Sequence, residues 1–273
     1  MIVAFQGIRG AFSESALRKH FGAGAVARGF ALSEEVFEAV KNGVADFGIL
    51  PVENTIAGPV SVNSDLLLKE NVFVVGETYL RIEHCLLGAG RLRDVMTVYS
   101  HPVALAQCHK FLKRRGLRAV PEYDTAGAAE LVARRALPSE AAIASEQCAK
   151  AYGLNVLARN IQSFRDNFTR FLVFANTSRA PKRLKMEKTS LAFSTRHRPG
   201  ALLSCLRRFA DHGINLTRLE SRPIPENPFE YVFFVDFVGG MNEPRVRTAL
   251  KEIRKDAHRL KILGSYPMGR RSA

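Results

Sequence analysis

The sequence predicts an α/β protein in which two successive strand-and-helix cycles form two lobes and a smaller ferredoxin-like βαββαβ unit follows. Three observations carry that expectation. Over residues 1–178 short apolar runs alternate with segments of helical period, the pattern of a parallel-rich α/β layer. After residue 188 the rhythm changes to strand, helix, strand, strand, helix, strand. Between the two, residues 179–188 are basic, proline-containing and weakly apolar, the composition of a linker. The expected domains are 1–178, holding both lobes, and 189–273.

In chain order, residues 2–5 form an apolar first strand, and residues 13–21 carry Ala16, Leu17 and Phe21 at helical spacing. A helix over 34–42, a buried strand over 47–51, a helix over 62–69 and a strand-rich passage over 72–87 complete the first cycle. The second places strands at 95–99, 119–123 and 141–143 and helices at 103–115, 126–135 and 145–151. A strand over 171–175 then brings the chain back to the cleft between the lobes. In the C-terminal unit, 189–194, 215–220, 231–237 and 260–263 read as strands, and 200–212 and 243–256 as helices. The first of these helices sets Leu202, Leu203, Leu206 and Phe209 on one face.

Composition excludes several classes. Of 273 residues, 47% are hydrophobic and 24% charged, which is globular rather than disordered. No apolar run approaches the ~20 residues of a membrane span, and the sequence opens on a strand-like run without a basic flank and signal core, so a cytoplasmic location is expected. Cys85, Cys108, Cys148 and Cys205 stand far apart without a Cys-x-x-Cys, and are expected to be buried thiols rather than a disulfide or metal framework. The net charge of +14 divides unevenly, +4 in residues 1–180 and +10 in 181–273. No nucleic-acid-binding signature accompanies these dispersed charges, so a solvated basic face that draws in anionic ligands is expected, and no nucleic-acid partner.

Three segments put polar groups where chemistry can use them. In Leu-Pro-Val-Glu-Asn-Thr-Ile-Ala-Gly-Pro, residues 50–59, a buried strand ends in Glu53, Asn54 and Thr55, at the strand end where α/β sheets bind ligands. The same residues also suit a helix entry capped by Asn54 or Thr55. In Gly-Ile-Arg-Gly-Ala-Phe-Ser-Glu, residues 7–14, two glycines turn the chain into a helix whose first-turn N–H groups can hold a carboxylate, although Ser13 also fits an N-cap. This is neither a dinucleotide fingerprint nor a phosphate loop. In Asn-Phe-Thr-Arg-Phe, residues 167–171, Thr169 and Arg170 enter an apolar strand. Strand geometry would send them to opposite faces, so both reach one ligand only if the chain is irregular there; otherwise Arg170 is an exposed arginine on an edge strand.

Together the segments resemble prephenate dehydratases. The likeness spans residues 3–222 and includes Asp65-Leu66-Leu67, Val75-Gly76-Glu77, His84-Cys85-Leu86-Leu87, Ser100-His101-Pro102, Ala106-Gln107-Cys108, Asp124-Thr125-Ala126, Ala142-Ile143-Ala144-Ser145, Tyr152-Gly153-Leu154 and Thr169-Arg170-Phe171. One departure is local: Ser163-Phe164-Arg165 separate Ile161-Gln162 from Asp166, where the family often has an acidic residue sooner. The C-terminal unit resembles the ACT regulatory domain, through Gly200-Ala201-Leu202 at its first helix and Glu220-Ser221-Arg222-Pro223 after its second strand.

The resemblance implies a two-lobed catalytic domain like that of periplasmic binding proteins, and a carbon–oxygen lyase converting prephenate to phenylpyruvate in phenylalanine biosynthesis. Gain of aromaticity drives loss of carbon dioxide and water, so neither metal nor cofactor is expected. By the same resemblance Thr169 donates its hydroxyl, Arg170 and the backbone at Ala11, Phe12 and Ser13 bind carboxylate, and Asn54 and Thr55 orient the substrate. Phe171, Gln107 and Thr125 are further implied contacts. Glu53 competes as the acid if burial raises its pKa, and pairs with backbone donors if not. His84 and His101 sit in apolar settings and are expected to be structural. Gly200, Ala201, Leu202, Glu220, Ser221 and Arg222 are the implied phenylalanine-binding residues, between subunits of a homodimer or homotetramer. Arogenate dehydratase is the near alternative and a non-catalytic amino-acid-sensing protein the remoter one. No chorismate mutase helix precedes Met1, so a monofunctional enzyme is expected.

Overall fold

A computed structural model describes residues 1–177, 185–224 and 227–270, with the side chains of 227–229 left out of account. The first lobe contains β1 (Ile2–Gln6), α1 (Phe12–Phe21), β2 (Val26–Phe30), α2 (Ser33–Lys41), β3 (Phe47–Asn54), the two-residue β4 (Gly58–Pro59), α3 (Ser61–Lys69) and β5 (Val72–Arg81). The second contains β6 (Cys85–Gly88), β7 (Thr97–Ser100), α4 (Pro102–Gln107), α5 (His109–Arg115), β8 (Arg118–Pro121), α6 (Thr125–Arg135), β9 (Glu140–Ala144), α7 (Glu146–Tyr152) and β10 (Asn155–Ala158). The chain returns to the first lobe through β11 (Phe168–Asn176). The C-terminal unit follows as β12 (Lys188–Thr195), α8 (Ala201–Asp211), β13 (Leu216–Ile224), β14 (Asn227–Val238), α9 (Pro244–Asp256) and β15 (Ala257–Tyr266).

Most expected elements form, and the differences have physical causes. β2 was not anticipated because it is short and largely exposed, and β10 because its apolar run, Val156 to Ala158, is only three residues long. The single helix expected over 103–115 is two, because Cys108 leaves helical geometry at φ −103° and ψ 8° while the apolar period continues across the break. β3 runs on through Glu53 and Asn54, and β13 runs through Glu220, Ser221 and Arg222, so both motifs are strand residues rather than loop residues. Lys188, the last residue of the expected linker, is buried at the start of β12, and residues 179–184 of that linker, with residue 178 before it, lie outside the described residues.

The sheets are mixed rather than parallel-rich. β1 pairs parallel with β2 and β3, but β11 inserts antiparallel between β3 and β5. The second lobe has the order β10-β6-β9-β7-β8, also mixed. The four C-terminal strands extend the first-lobe sheet, giving β13-β14-β12-β15-β5-β11-β3-β1-β2 as one surface, with β4 beside β3. The seam is a parallel contact of β15 with β5, Gly264 opposite Val74, where an added Cβ would meet the Val74 carbonyl.

β11 divides the core. Phe171, Val173 and Ala175 pack with α1 and with Ala128, Ala129 and Cys148 of the second lobe. Leu172 and Phe174 face the other way, among Val36, Phe37, Phe234 and Tyr266, and the rings of Phe37 and Phe174 stack at 4.3 Å. α8 and α9 cover the remaining face of the C-terminal strands through Cys205, Phe209, Leu250 and Ile253. The four cysteines are buried free thiols, and burial pushes Cys108 up to about 12. Among the described residues, no helix is long and apolar enough to cross a membrane.

Gly264→Ala should destabilise the protein by about 1–3 kcal/mol, the cost of forcing a methyl into a filled space. Urea unfolding measures it; an unchanged midpoint would mean that the seam relaxes freely.

Candidate active site

Two turns from different lobes face one another across a cleft. On one side the glycine turn, with Gly7 at φ 114° and Gly10 at φ 86°, feeds α1, and the Glu14 carboxylate reaches back to accept from the Gly10 N–H at 2.8 Å. The opposite side is the start of α6, capped by Asp124 Oδ1 accepting from Gly127 N, and the start of α4, where His101 Nδ1 accepts from Val103 N at 3.2 Å. Ala11, Phe12, Ser13, His101, Tyr123, Asp124 and Thr125 line a cavity of about 470 Å³ there. The first turn of α1 has N–H groups without intrahelical acceptors, so the cleft offers an anion-binding end.

The second lobe holds the glycine turn in place. Ser145 Oγ donates to the Gly10 carbonyl at 2.6 Å, the Cys148 thiol donates to the same oxygen, and Tyr152 Oη donates to the Arg9 carbonyl at 2.8 Å. Their sequence signal was the Ser145 and Tyr152 segments, recognisable as motifs but without an assignable task.

Thr169 is buried beside the first-lobe wall in a continuous polar chain. Asn54 Nδ2 donates to Thr169 Oγ1 at 2.9 Å and to Asn167 Oδ1 at 2.8 Å. Asn167 Nδ2 donates to Gln107 Oε1 at 3.0 Å, and His84 Nε2 meets the same oxygen at 2.8 Å. The His84 ring stands edge-on to Phe12, 5.5 Å between centroids, which links the chain to the cleft wall. Asn54 Oδ1 is also occupied, accepting from Ile56 N and Ala57 N, and Thr55 Oγ1 donates to the Asp166 carbonyl and accepts from Phe168 N. Asn54, Thr55 and Gln107, expected to contact substrate, thus spend these groups on protein partners. Phe171 belongs to the core beneath Thr169 rather than to the cavity lining.

The geometry separates the expected catalytic residues. In the β3–β11 ladder Thr169 pairs with Asn54 and Arg170 with Glu53, so the two pairs project to opposite faces. The irregularity that would have let Thr169 and Arg170 share a ligand falls after Arg170, between it and Phe171. Arg170 and Glu53 therefore line a second cavity of about 420 Å³, with Thr55, Tyr79, Phe168 and Lys188, at the boundary with the C-terminal unit. Glu53 is 44% exposed there, not buried in the cleft, so the burial that would have made it an acid is missing.

Arg170 is 4% exposed and is the centre of a buried ion cluster. Its Nε donates to Glu77 Oε2 at 2.7 Å, one terminal nitrogen to Asp236 and the other to Tyr266 Oη at 3.1 Å. Lys188 Nζ also reaches Glu77, at 2.9 Å. Burial opposes every charge, yet Asp236 and Glu77 hold the Arg170 guanidinium well above its ordinary range, and Arg170 and Arg218 hold Asp236 below its own. Burial and the like charge of Arg170 together depress Lys188. The sequence hint for this cluster was a single acid, Asp236, inside an otherwise apolar strand, which went unread.

In the C-terminal unit Gly200, at φ 79°, precedes α8 and lines a cavity of about 260 Å³ with Ala201, Leu202, Arg198, Glu230 and Tyr231. Glu220 and Arg222 lie elsewhere, facing α3: Glu220 accepts from Ser61 Oγ at 2.9 Å and Arg222 pairs with Asp65 at 2.9 Å. Ser221 points to the other face of β13, opposite Phe233 of the cavity wall. Within one chain the two expected halves of this site are thus apart.

Comparison with known proteins gives a consistent result. The family model for prephenate dehydratase matches residues 3–179 and that for the ACT domain matches residues 189–255. Arogenate dehydratase/prephenate dehydratase 2, chloroplastic, of Arabidopsis thaliana is 42% identical over 277 residues, which is 97% of this chain and 72% of the relative. The solved structure of prephenate dehydratase from Arthrobacter aurescens in complex with L-Phe superimposes with a TM-score of 0.89 at 30% identity, over 98% of this chain and 90% of that one. A structure described as GqqA, a novel type of quorum quenching acylase, has a TM-score of 0.89 at 36% identity, over 98% of each chain.

Burial holds the His84 imidazole below its ordinary value of 6.5, against the bond to Gln107 that favours the charged form. The unfolded chain therefore takes up this proton first, so the contribution to stability is complete above about pH 6.5 and is lost as pH falls below it. Urea unfolding at a series of pH values should show this slope, reduced in His84→Gln; equal slopes would mean that His84 protonates freely in the fold.

Proposed function

The chain belongs to the prephenate dehydratase family, and from that premise we propose that it converts prephenate to phenylpyruvate in its interlobe cleft and is inhibited by phenylalanine bound to its ACT domain. The observation that carries the first half is the hydrogen bonding of Thr169, which lies behind the residues lining the cavity. Because the Asn54 amide donates to its oxygen, the Thr169 hydroxyl keeps its own hydrogen as a donor for a substrate that reaches it.

The reaction breaks the bond between the ring and its carboxylate, and that electron pair becomes a ring double bond. The carbon–oxygen bond across the ring breaks in turn, and the departing oxygen leaves as water once it has gained a proton. A threonine hydroxyl is too weak an acid at neutral pH to be the source of that proton. Thr169 instead holds the departing oxygen by a hydrogen bond that strengthens as charge develops, with the proton reaching it through water. The first turn of α1, at Ala11, Phe12 and Ser13, receives a substrate carboxylate, and Thr125 faces it from the second lobe. His101 joins them: its Nδ1 is taken by Val103 N, so Nε2–H is free to donate into the cleft.

Acyl hydrolysis, the activity named for one structural relative, needs a nucleophile next to a base. Ser145 and Cys148, both near the glycine turn, spend their hydrogens on the Gly10 carbonyl, and burial raises the Cys148 thiol to about 11. Neither is therefore poised as a nucleophile.

For regulation, we place phenylalanine at the cavity beginning with Gly200, Ala201 and Leu202, completed by Ser221 of a second subunit, while Glu220 stays with Ser61 and α3 of its own chain. Support comes from β13, which is an edge of the ten-stranded sheet and so has unpaired backbone groups to offer a second copy. At least a homodimer follows from this arrangement, in the cytoplasm, where such a biosynthetic enzyme would act.

Thr169→Ala should leave the protein folded and lower turnover of prephenate by ~10²-fold or more, with Thr169→Ser retaining far more. Phenylpyruvate release and its phenylalanine counterpart from arogenate, followed side by side, give the rates and the substrate preference; equal rates for Ala and wild type would remove Thr169 from the chemistry. Gly200→Val forces a branched side chain into a left-handed backbone and should abolish phenylalanine binding in calorimetry. Retained binding would move the ligand away from α8.

A further inference from the structure

We propose that Arg170 is a positioning residue for Thr169, and that the buried ion cluster around it transmits the state of the C-terminal domain to the catalytic hydroxyl. This rests on the dehydratase reading above and deepens it by naming the route of regulation.

Three features of the fold carry the inference. First, Thr169 and Arg170 are consecutive residues of one strand, so a small rotation or slide of β11 on one face displaces the side chain on the other. Second, the partners of Arg170 are split between the two domains: Glu77 lies on β5, whereas Asp236 and Tyr266 lie on β14 and β15. Lys188 on β12 grips the same Glu77, the Gly269 N–H donates to it at 3.0 Å, and Arg218 on β13 stands 4.0 Å from Asp236. All four C-terminal strands thus contribute to the polar groups that fix one arginine: three of them charged, the fourth the Tyr266 hydroxyl. Third, a parallel connection reaches the other member of the Thr169 pair. Arg222 and Glu220 of β13 hold α3, and Asn63 of α3 donates to the Pro51 carbonyl at 2.7 Å on β3, the strand that bears Asn54.

Every member of the central cluster is almost completely buried. Ions of that kind cannot drift apart into solvent, so the C-terminal strands can move only by carrying Arg170 with them or by exchanging its partners. Either motion re-aims Thr169, whose bond from Asn54 tolerates only a small displacement. Turnover should then be more sensitive to the cluster than substrate affinity is, because the glycine turn and α6 that bind the substrate stand outside it.

The test uses the full-length protein with Asp236→Asn and the milder Tyr266→Phe, which removes one bond to Arg170. In both, kcat for prephenate should fall, about tenfold for Asp236→Asn, with KM within twofold of wild type. Calorimetry should show phenylalanine still binding, while the concentration needed for half inhibition rises at least tenfold. A variant that keeps wild-type kcat and full inhibition overturns the inference, as does a parallel loss in kcat and affinity that tracks unfolding. If Asp236→Asn does not fold, the same criteria apply to Tyr266→Phe. A wild-type protein that turns over prephenate but binds no phenylalanine would refute the regulatory reading of the ACT domain instead, and the kcat effect then decides the positioning role of Arg170 by itself.

Discussion

Everything distinctive in this structure depends on the alternation of side chains along β11. One strand, buried on both sides, must serve the side that packs on α1 and the second lobe with Thr169, Phe171 and Val173 and the C-terminal domain with Arg170, Leu172 and Phe174. Neither set can be adjusted independently, because a slip of one residue would exchange the two faces and bury Arg170 among apolar side chains. The pairing of Asn54 with Thr169 and of Glu53 with Arg170 fixes that register from the neighbouring strand.

The buried charges follow from the same constraint. Removing Arg170, Glu77, Lys188 and Asp236 from water is unfavourable, and breaking one pair would leave an uncompensated ion at a cost of about 3–5 kcal/mol. Such a cluster is a poor source of net stability compared with an apolar core of the same volume. What it supplies is a link between the domains, since the donors of Arg170 and Lys188 are met by acceptors from both sides of the seam.

The sequence made the architecture legible wherever apolar periodicity was strong. α1, α2, α6, α8 and α9 lie within a residue or two of their expected bounds. β2 was hidden because its residues are largely exposed, β10 because it is only four residues long, and the break at Cys108 because its helices share one apolar period. The glycine turn and Thr125, grouped by the family resemblance alone, line one cavity because both are helix starts at its rim. What could not be read was the partner of each polar group. Asn54 suggested a substrate contact and instead holds Thr169; Arg170 suggested a carboxylate ligand and instead holds Asp236, which lies 66 residues away on a strand of another domain. Long-range pairing leaves no local period, and it is there that the reading of individual residues departs from the structure.

The continuity of the sheet across the two domains changes what it means for them to be separate. Their sequence patterns suggest beads on a string, each with its own core and replaceable by recombination. Yet β5 and β15 share one ladder, Lys261 of the C-terminal part satisfies the carbonyls of Leu67, Leu68 and Glu70 at the end of α3, and Phe234 and Tyr266 complete the core behind β11. A gene fragment ending before β12 would encode a catalytic half with an open sheet edge, an apolar wall turned to water and a stranded arginine. Inheritance of this regulatory domain is therefore an all-or-nothing matter: a lineage could retune its ligand, but could not shed it without redesigning the back of its own active site.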